Sequence, residues 1–165
     1  MAEPNLNLVT ELQTLIRRDF LLADNTILNP LLAGSPGPLL DGEWLELDTA
    51  SYKLKRGSFG TNGNPAVYPV FVERGRYDTQ AVGKVTVLML GEFEAESKIV
   101  ANPSALTVGD HLKVGDVTVD GVTGKRGLVK ATGGVGASGE VIVGTVTKVL
   151  PDRVRFARIP ARKIP

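Results

Sequence analysis

The sequence contains no cysteine. That excludes disulfides, thiol catalysis and thiolate metal sites, and leaves the redox compartment unmarked. Histidine occurs once, at His111. One imidazole without cysteine makes a weak metal-ligand set, and no GxSxG elbow accompanies it for nucleophilic catalysis. His111 therefore reads as a loop or sheet-surface residue. Aromatics are 5% of the chain, leaving few stacking platforms of the kind single-strand binding needs. Net charge is only +1, so no global field draws the chain to nucleic acid or a membrane. No stretch approaches the roughly 18 to 20 apolar residues of a membrane span. The opening, MAEPNLNLVTELQ, is acidic and lacks an unbroken apolar run, so no signal peptide is expected and a soluble protein made in a cytoplasm is.

What is present suits a small β domain. The chain has 165 residues, 42% of them apolar, enough for one ordinary core with an appendage. Gly at 19 and Pro at 10 fit many short strands joined by tight turns. Ala81 to Ala101 holds the clearest pattern, with Val85, Val87, Met89, Phe93 and Ala95 alternating against Lys84, Thr86, Glu92, Glu94 and Glu96. Period two means one buried and one wet face. Leu88 and Leu90 make the middle apolar on both sides, as in a strand covered twice. Gly91 marks a bulge or bend. A central strand, or a bent strand pair, is expected.

Asn7 to Ala23 reads as an amphipathic helix, with Leu8, Leu12, Leu15, Ile16 and Leu22 near one stripe and Asn5 or Asn7 as cap. Asn29-Pro30 stops it. The stripe suits packing on its own domain or docking on a neighbouring subunit. Ala33 to Asp41, AGSPGPLLD, is a linker or extended arm. It divides residues 1–38, helix and arm, from a β-rich domain at 39–165.

Trp44 to Leu54 reads as a hairpin turning at Asp48 to Ser51, and Arg56 to Pro65 as an exposed loop. Val67 to Val72 includes Pro69, which confines it to an edge or irregular strand. Glu73 to Asp78 is a charged turn. Further on, turns are expected at Gly115-Asp116, Asp120-Gly121 and Gly124 to Gly127, around short strands. Val141 to Leu150 is a strand, Pro151-Asp152 a turn, and the chain returns through Val154 and Phe156 with Arg153, Arg155 and Arg158 mainly on the other side. An antiparallel barrel or sandwich follows.

Motifs for chemistry are thin. Gly134 to Gly139 spells GVGASG, but a strand pattern follows it, where a dinucleotide site needs a helix. Gly121 to Gly127, GVTGKRG, lacks the Walker spacing and reads as a turn with two exposed cations. Glu92, Glu94 and Glu96 on one strand face could bind a hard cation; a solvated face is simpler. No catalytic residue, cofactor or metal is assigned. Pro151 to Pro165 carries Arg153, Arg155, Arg158, Arg162 and Lys163 against Asp152. That patch suits plain solvation or docking on an acidic partner.

The order YPVFVERGRYDTQAVGKVTVLMLGEFEAESKIV, LTVGDHLKV, GLVKAT, EVIVGTVTKVL and RVRFARI, within Leu39 to Ile159, resembles the decoration (cement, head-stabilising) proteins of tailed-phage capsids. The resemblance implies a mainly β fold, a small antiparallel barrel or tulip-like domain with an N-terminal helix or arm. It implies a non-enzymatic virion protein on the capsid exterior, bound to the major capsid protein and to itself as a dimer or trimer. Membrane and direct nucleic-acid partners are not expected. Leu8, Leu12, Leu15 and Ile16, with the basic C-terminal residues, are the expected partner contacts. A tail or baseplate component is the alternative within the class, and an oligonucleotide-binding barrel or a nucleotide enzyme the alternatives outside it.

Overall fold

Valine, isoleucine and threonine recur at every second position through much of this chain, and branched side chains pack well on a pleated surface. The computed structural model describes residues 4–11, 15–23, 31, 33–57, 66–71, 83–132 and 140–163. These form strands β1 (Leu6–Glu11), β2 (Ile16–Leu21), β3 (Trp44–Asp48), β4 (Lys53–Lys55), β5 (Val67–Pro69), β6 (Lys84–Leu90), β7 (Phe93–Ser97), β8 (His111–Val119), β9 (Val122–Lys130), β10 (Val141–Val149) and β11 (Val154–Lys163). A single 3-10 turn lies at Pro103–Ala105, and the described residues contain no α-helix. The protein is mainly β and antiparallel.

Six strands make one sheet in the order β1-β7-β11-β10-β8-β9. Its end strands do not pair with each other, so this sheet is open among the described residues. Two smaller sheets, β2-β6 and β4-β3-β5, complete the fold. Single bridges join them, Val70 to Val87 on one side and Leu22 to Leu54 on the other.

Alternation along β3 and β6 divides the interior in two. Trp44, Val67 and Leu88 face the large sheet and pack with Phe93, Phe156, Leu112, Ile142's neighbour Val143 and Val146. Leu45, Val70, Val85 and Val87 point the other way, onto Leu22, Leu39 and Leu54. The expectation of a doubly covered strand therefore holds at Val87 and Leu88, buried in opposite clusters. Gly91 is the corner, at φ 111°, where the chain leaves the small sheet for the large one. Such a φ suits glycine, which lacks the Cβ that would clash.

The hairpins also match their patterns. β3 turns into β4 over Asp48 to Ser51, where the Asp48 carboxylate accepts from the Ser51 amide at 3.1 Å. β5 lies at the end of its ladder, as Pro69 requires. β10 returns as β11 after Pro151-Asp152.

Three expectations are corrected. The helix over Asn7 to Ala23 is two strands, β1 pairing with β7 and β2 with β6. Asn5-Leu6-Asn7-Leu8-Val9-Thr10 alternates as well as it spirals, and short apolar runs do not decide between the two. Asparagine and β-branched residues are poor helix formers, and the free edges of β6 and β7 supply ladders that local propensity cannot see. Residues N-terminal to 38 are thus built into both halves of the fold. The Gly115-Asp116 and Gly124 to Gly127 turns are mid-strand, in β8 and β9. The long hairpin instead turns at Asp120-Gly121, at φ 50° and 77°. The glycine loop expected at Gly134 to Gly139 and the charged turn expected at Glu73 to Asp78 lie outside the described residues.

Gly115 and Gly127 face each other across that hairpin. A Cβ on Gly127 would sit 2.5 Å from the Ile99 carbonyl oxygen and 2.8 Å from a Val117 methyl. Backbone cannot move aside cheaply there. Gly127→Ala is expected to cost about 1–3 kcal/mol, read as a lower urea midpoint with unchanged slope.

Candidate functional site

Glu43 precedes β3 and is fully buried. Its carboxylate is met from several elements. Arg56, just after β4, forms a fork with Nε to Oε2 at 3.0 Å and Nη2 to Oε1 at 3.1 Å. The Leu40 amide donates to Oε1 at 2.8 Å, and the Arg126 amide of β9 to Oε2 at 3.3 Å. Lys125 Nζ lies 3.5 Å from Oε1 and donates to the Pro38 carbonyl. Arg126 Nε reaches the Gly57 carbonyl at 2.7 Å. The backbone of Glu43 holds β5, accepting from the Val70 amide at 2.7 Å. One residue, through its carboxylate and its backbone carbonyl, thus ties the 38–43 arm, β3, β4, β5 and β9 together.

This cluster joins two cations to one anion in the interior. Burial therefore holds the Lys125 ammonium below its usual pKa, with the nearby Glu43 opposing and Arg56 reinforcing that depression. Lys125 is only 3% exposed, which corrects the expected solvent-exposed cation turn. The burial pattern of VTGKRGLVK breaks at Gly127 and Leu128, which are both buried, and Lys125 does not share the parity of the core residue Leu128.

Arg158 is the third buried cation, 5% exposed. Its guanidinium lies 5.4 Å from the Trp44 ring centroid and 5.9 Å from that of Phe93, and it donates to the Val67 carbonyl at 3.3 Å. Burial lowers its pKa to about 10, so it remains charged at neutral pH, held by aromatic faces and a carbonyl dipole.

The expected partner residues separate. Leu15 is core and Leu8 packs against the core, so neither belongs to an exposed stripe. Ile16 is 46% exposed on β2, and Leu12 lies outside the described residues. Arg153 and Arg155 do share the outer face. Arg155 sits opposite Glu96 in the ladder and donates to it at 2.7 Å, while Arg153 pairs with Asp152 at 3.0 Å. Arg158 is on the inner face, a correction to its expected direction; it follows the parity of Val154 and Phe156. Arg162 and Lys163 continue β11 opposite Ile142 and Val141. The basic stretch is therefore a strand inside the sheet, with part of its charge matched locally. An exposed pair such as Arg153–Asp152 adds little to stability.

The Glu92, Glu94 and Glu96 face is engaged rather than only solvated. Glu94 accepts from Thr147 Oγ1 at 2.6 Å, and Glu96 takes Arg155. His111 lies on β8 with Nδ1 3.3 Å from Thr145 Oγ1. Among the described residues no group of three His, Asp or Glu side chains is placed to hold a metal, and no helix is long and apolar enough to cross a membrane. No family model, curated protein or solved structure matches the chain.

Two stability experiments separate the roles in the Glu43 cluster. Glu43→Gln strands buried cations and is expected to cost about 3–5 kcal/mol, whereas Lys125→Met, which removes the surplus charge and keeps the stem's volume, should cost far less. The pH dependence has a definite sign. Between its lowered folded pKa and the ordinary 10.5, Lys125 has released its proton in the folded chain but keeps it when unfolded. The unfolded state then binds more protons, so stability rises with pH in that window. Urea titrations at pH 8 to 10.5 should show this contribution in the native chain, and Lys125→Met should lack it.

Proposed function

We propose that the chain is a non-enzymatic structural protein of a tailed-phage virion, bound outside the capsid and cementing major capsid subunits against the pressure of packaged DNA. The observation that carries this reading is where the charges are placed. Glu43, Arg56, Lys125 and Arg158 sit inside as ties between sheets, which makes a stiff block suited to bridging neighbours. The ordered strand pieces of the decoration proteins, which the sequence resembles, give the reading its direction. In this reading the two small sheets, joined by single bridges, would form the barrel or tulip-like body. A clamp that binds only the assembled, expanded shell stabilises it by mass action, and repetition over the lattice multiplies weak contacts. Arg153, Arg155, Glu94 and Glu96, on the outer face of the large sheet, are the groups offered to the shell. The protein would be made in the host cytoplasm and would act on the virion exterior.

The test is sedimentation of purified protein with expanded, undecorated capsids of the encoding phage. Binding should saturate at a fixed ratio per capsid subunit and raise the temperature at which the shells release DNA. Absence of co-sedimentation at every salt concentration would overturn the head location and favour the tail or baseplate reading.

A further inference from the structure

At Tyr52 the backbone takes a shape that the side chain resists. Three described residues other than glycine have positive φ: Tyr52 at 55°, Asn102 at 45° and Asp120 at 50°. Asparagine and aspartate visit this left-handed region readily, because their short polar side chains bond locally, whereas a bulky residue there is an outlier. The turn from β3 to β4 imposes it. The Asp48 carbonyl accepts from the Tyr52 amide at 2.8 Å, closing an α-turn whose left-handed last position is the one glycine usually takes. The Asp48 carboxylate fastens the same turn, accepting from the Ser51 amide at 3.1 Å and from the Ser51 hydroxyl. Most of the Tyr52 ring stands in water, at 73% exposure. The other described aromatics, Phe20, Trp44, Tyr68, Phe71, Phe93 and Phe156, are all buried or half-buried. A lone exposed aliphatic needs no explanation, but this aromatic is held outward at a conformational cost.

We propose that Tyr52 is an anchor by which the chain grips a major capsid subunit, its ring entering an apolar slot on that subunit and its hydroxyl donating to an acceptor there. Strain kept at a fixed, exposed position points to function, because an unstrained residue would leave the free chain more stable. Tyrosine suits the task. It offers a large apolar area with few rotatable bonds and one polar handle, and it is enriched where binding energy concentrates. The fastened turn presents the ring already in place, which lowers the cost of ordering it on contact. Charge around the turn is balanced, with Lys53 opposite Asp48 in the ladder and Lys55 Nζ 3.7 Å from the Asp48 carboxylate. Recognition therefore falls to the ring and its hydroxyl, and the surface it fits is an apolar slot with one acceptor. This rests on the capsid reading and adds a contact from the β4-β3-β5 sheet to the outer-face charges of the large sheet, as a bridge between neighbours requires.

Two measurements test the anchor. In urea denaturation of the purified chain, Tyr52→Gly should raise the midpoint with unchanged slope, because glycine takes positive φ without strain. Tyr52→Ala, which keeps a Cβ at that φ, should not. In sedimentation with expanded, undecorated capsids of the encoding phage, Y52A and Y52G should each raise the concentration for half-saturation by at least about tenfold. Y52F, which keeps the ring and loses the donor, should raise it by less. V108A trims an apolar side chain that is 68% exposed elsewhere and should bind as the native chain does. Native binding that Y52A and Y52G retain overturns the Tyr52 contact and leaves the capsid reading standing. Absence of binding by the native chain overturns that reading together with this contact. A Y52G chain no more stable than the native one also overturns the proposal, since the position would then carry no strain.

Discussion

The carboxylate of Glu43 is the point on which the two halves of this fold depend. Moving a carboxylate out of water is costly, and attraction to a single cation seldom offsets the cost. Here the cost is met by geometry. The Arg56 fork, two backbone amides and the Lys125 ammonium leave neither oxygen without a donor. Because those donors come from the arm, from the end of β4 and from β9, the charge is satisfied only when the small sheets and the large sheet are already in place. The cluster thus makes the fold specific, whatever its net contribution to stability. Burial lowers the pKa of the surplus cation it carries, Lys125.

Around this point the apolar interior forms two layers sharing common walls. β3 and β6 send alternate side chains to opposite sides, so Trp44 and Leu88 belong to one cluster while Leu45 and Val87 belong to the other. Arg158 lies against the Trp44 and Phe93 rings. β1 and β2 then attach the N-terminal segment to both sheets. Tethering of the elements at many points is what the proposed bridging role on a lattice would use.

Much of the β architecture was legible in the residues. The turn chemistry of Asp48 to Ser51 and of Pro151-Asp152, the edge position forced by Pro69, and the bend at Gly91 all follow from backbone preferences acting over a few residues. The doubly apolar centre of β6 was legible for the same reason, since parity is local. The helix expected at Asn7 to Ala23 failed because its leucines fit two periods, and the deciding term was a ladder with strands some seventy residues away. The candidate site was largely hidden. Lys125, Arg126 and Arg158 read as solvated cations because charge normally stays wet, and Glu43 carried no motif. Strand parity did point inward at Arg158, which shares the parity of Val154 and Phe156; no such signal marked Lys125.

Composition and spacing by themselves therefore determined a cysteine-free, strand-rich chain with its hairpins and corners, because those properties are set by side-chain alternation and by the φ restrictions of proline and glycine. Tertiary structure alone decided that the N-terminal segment is strand and which cations are buried. Each of those outcomes depends on partners far along the chain, and a buried charge is tolerable only once all of its partners have converged.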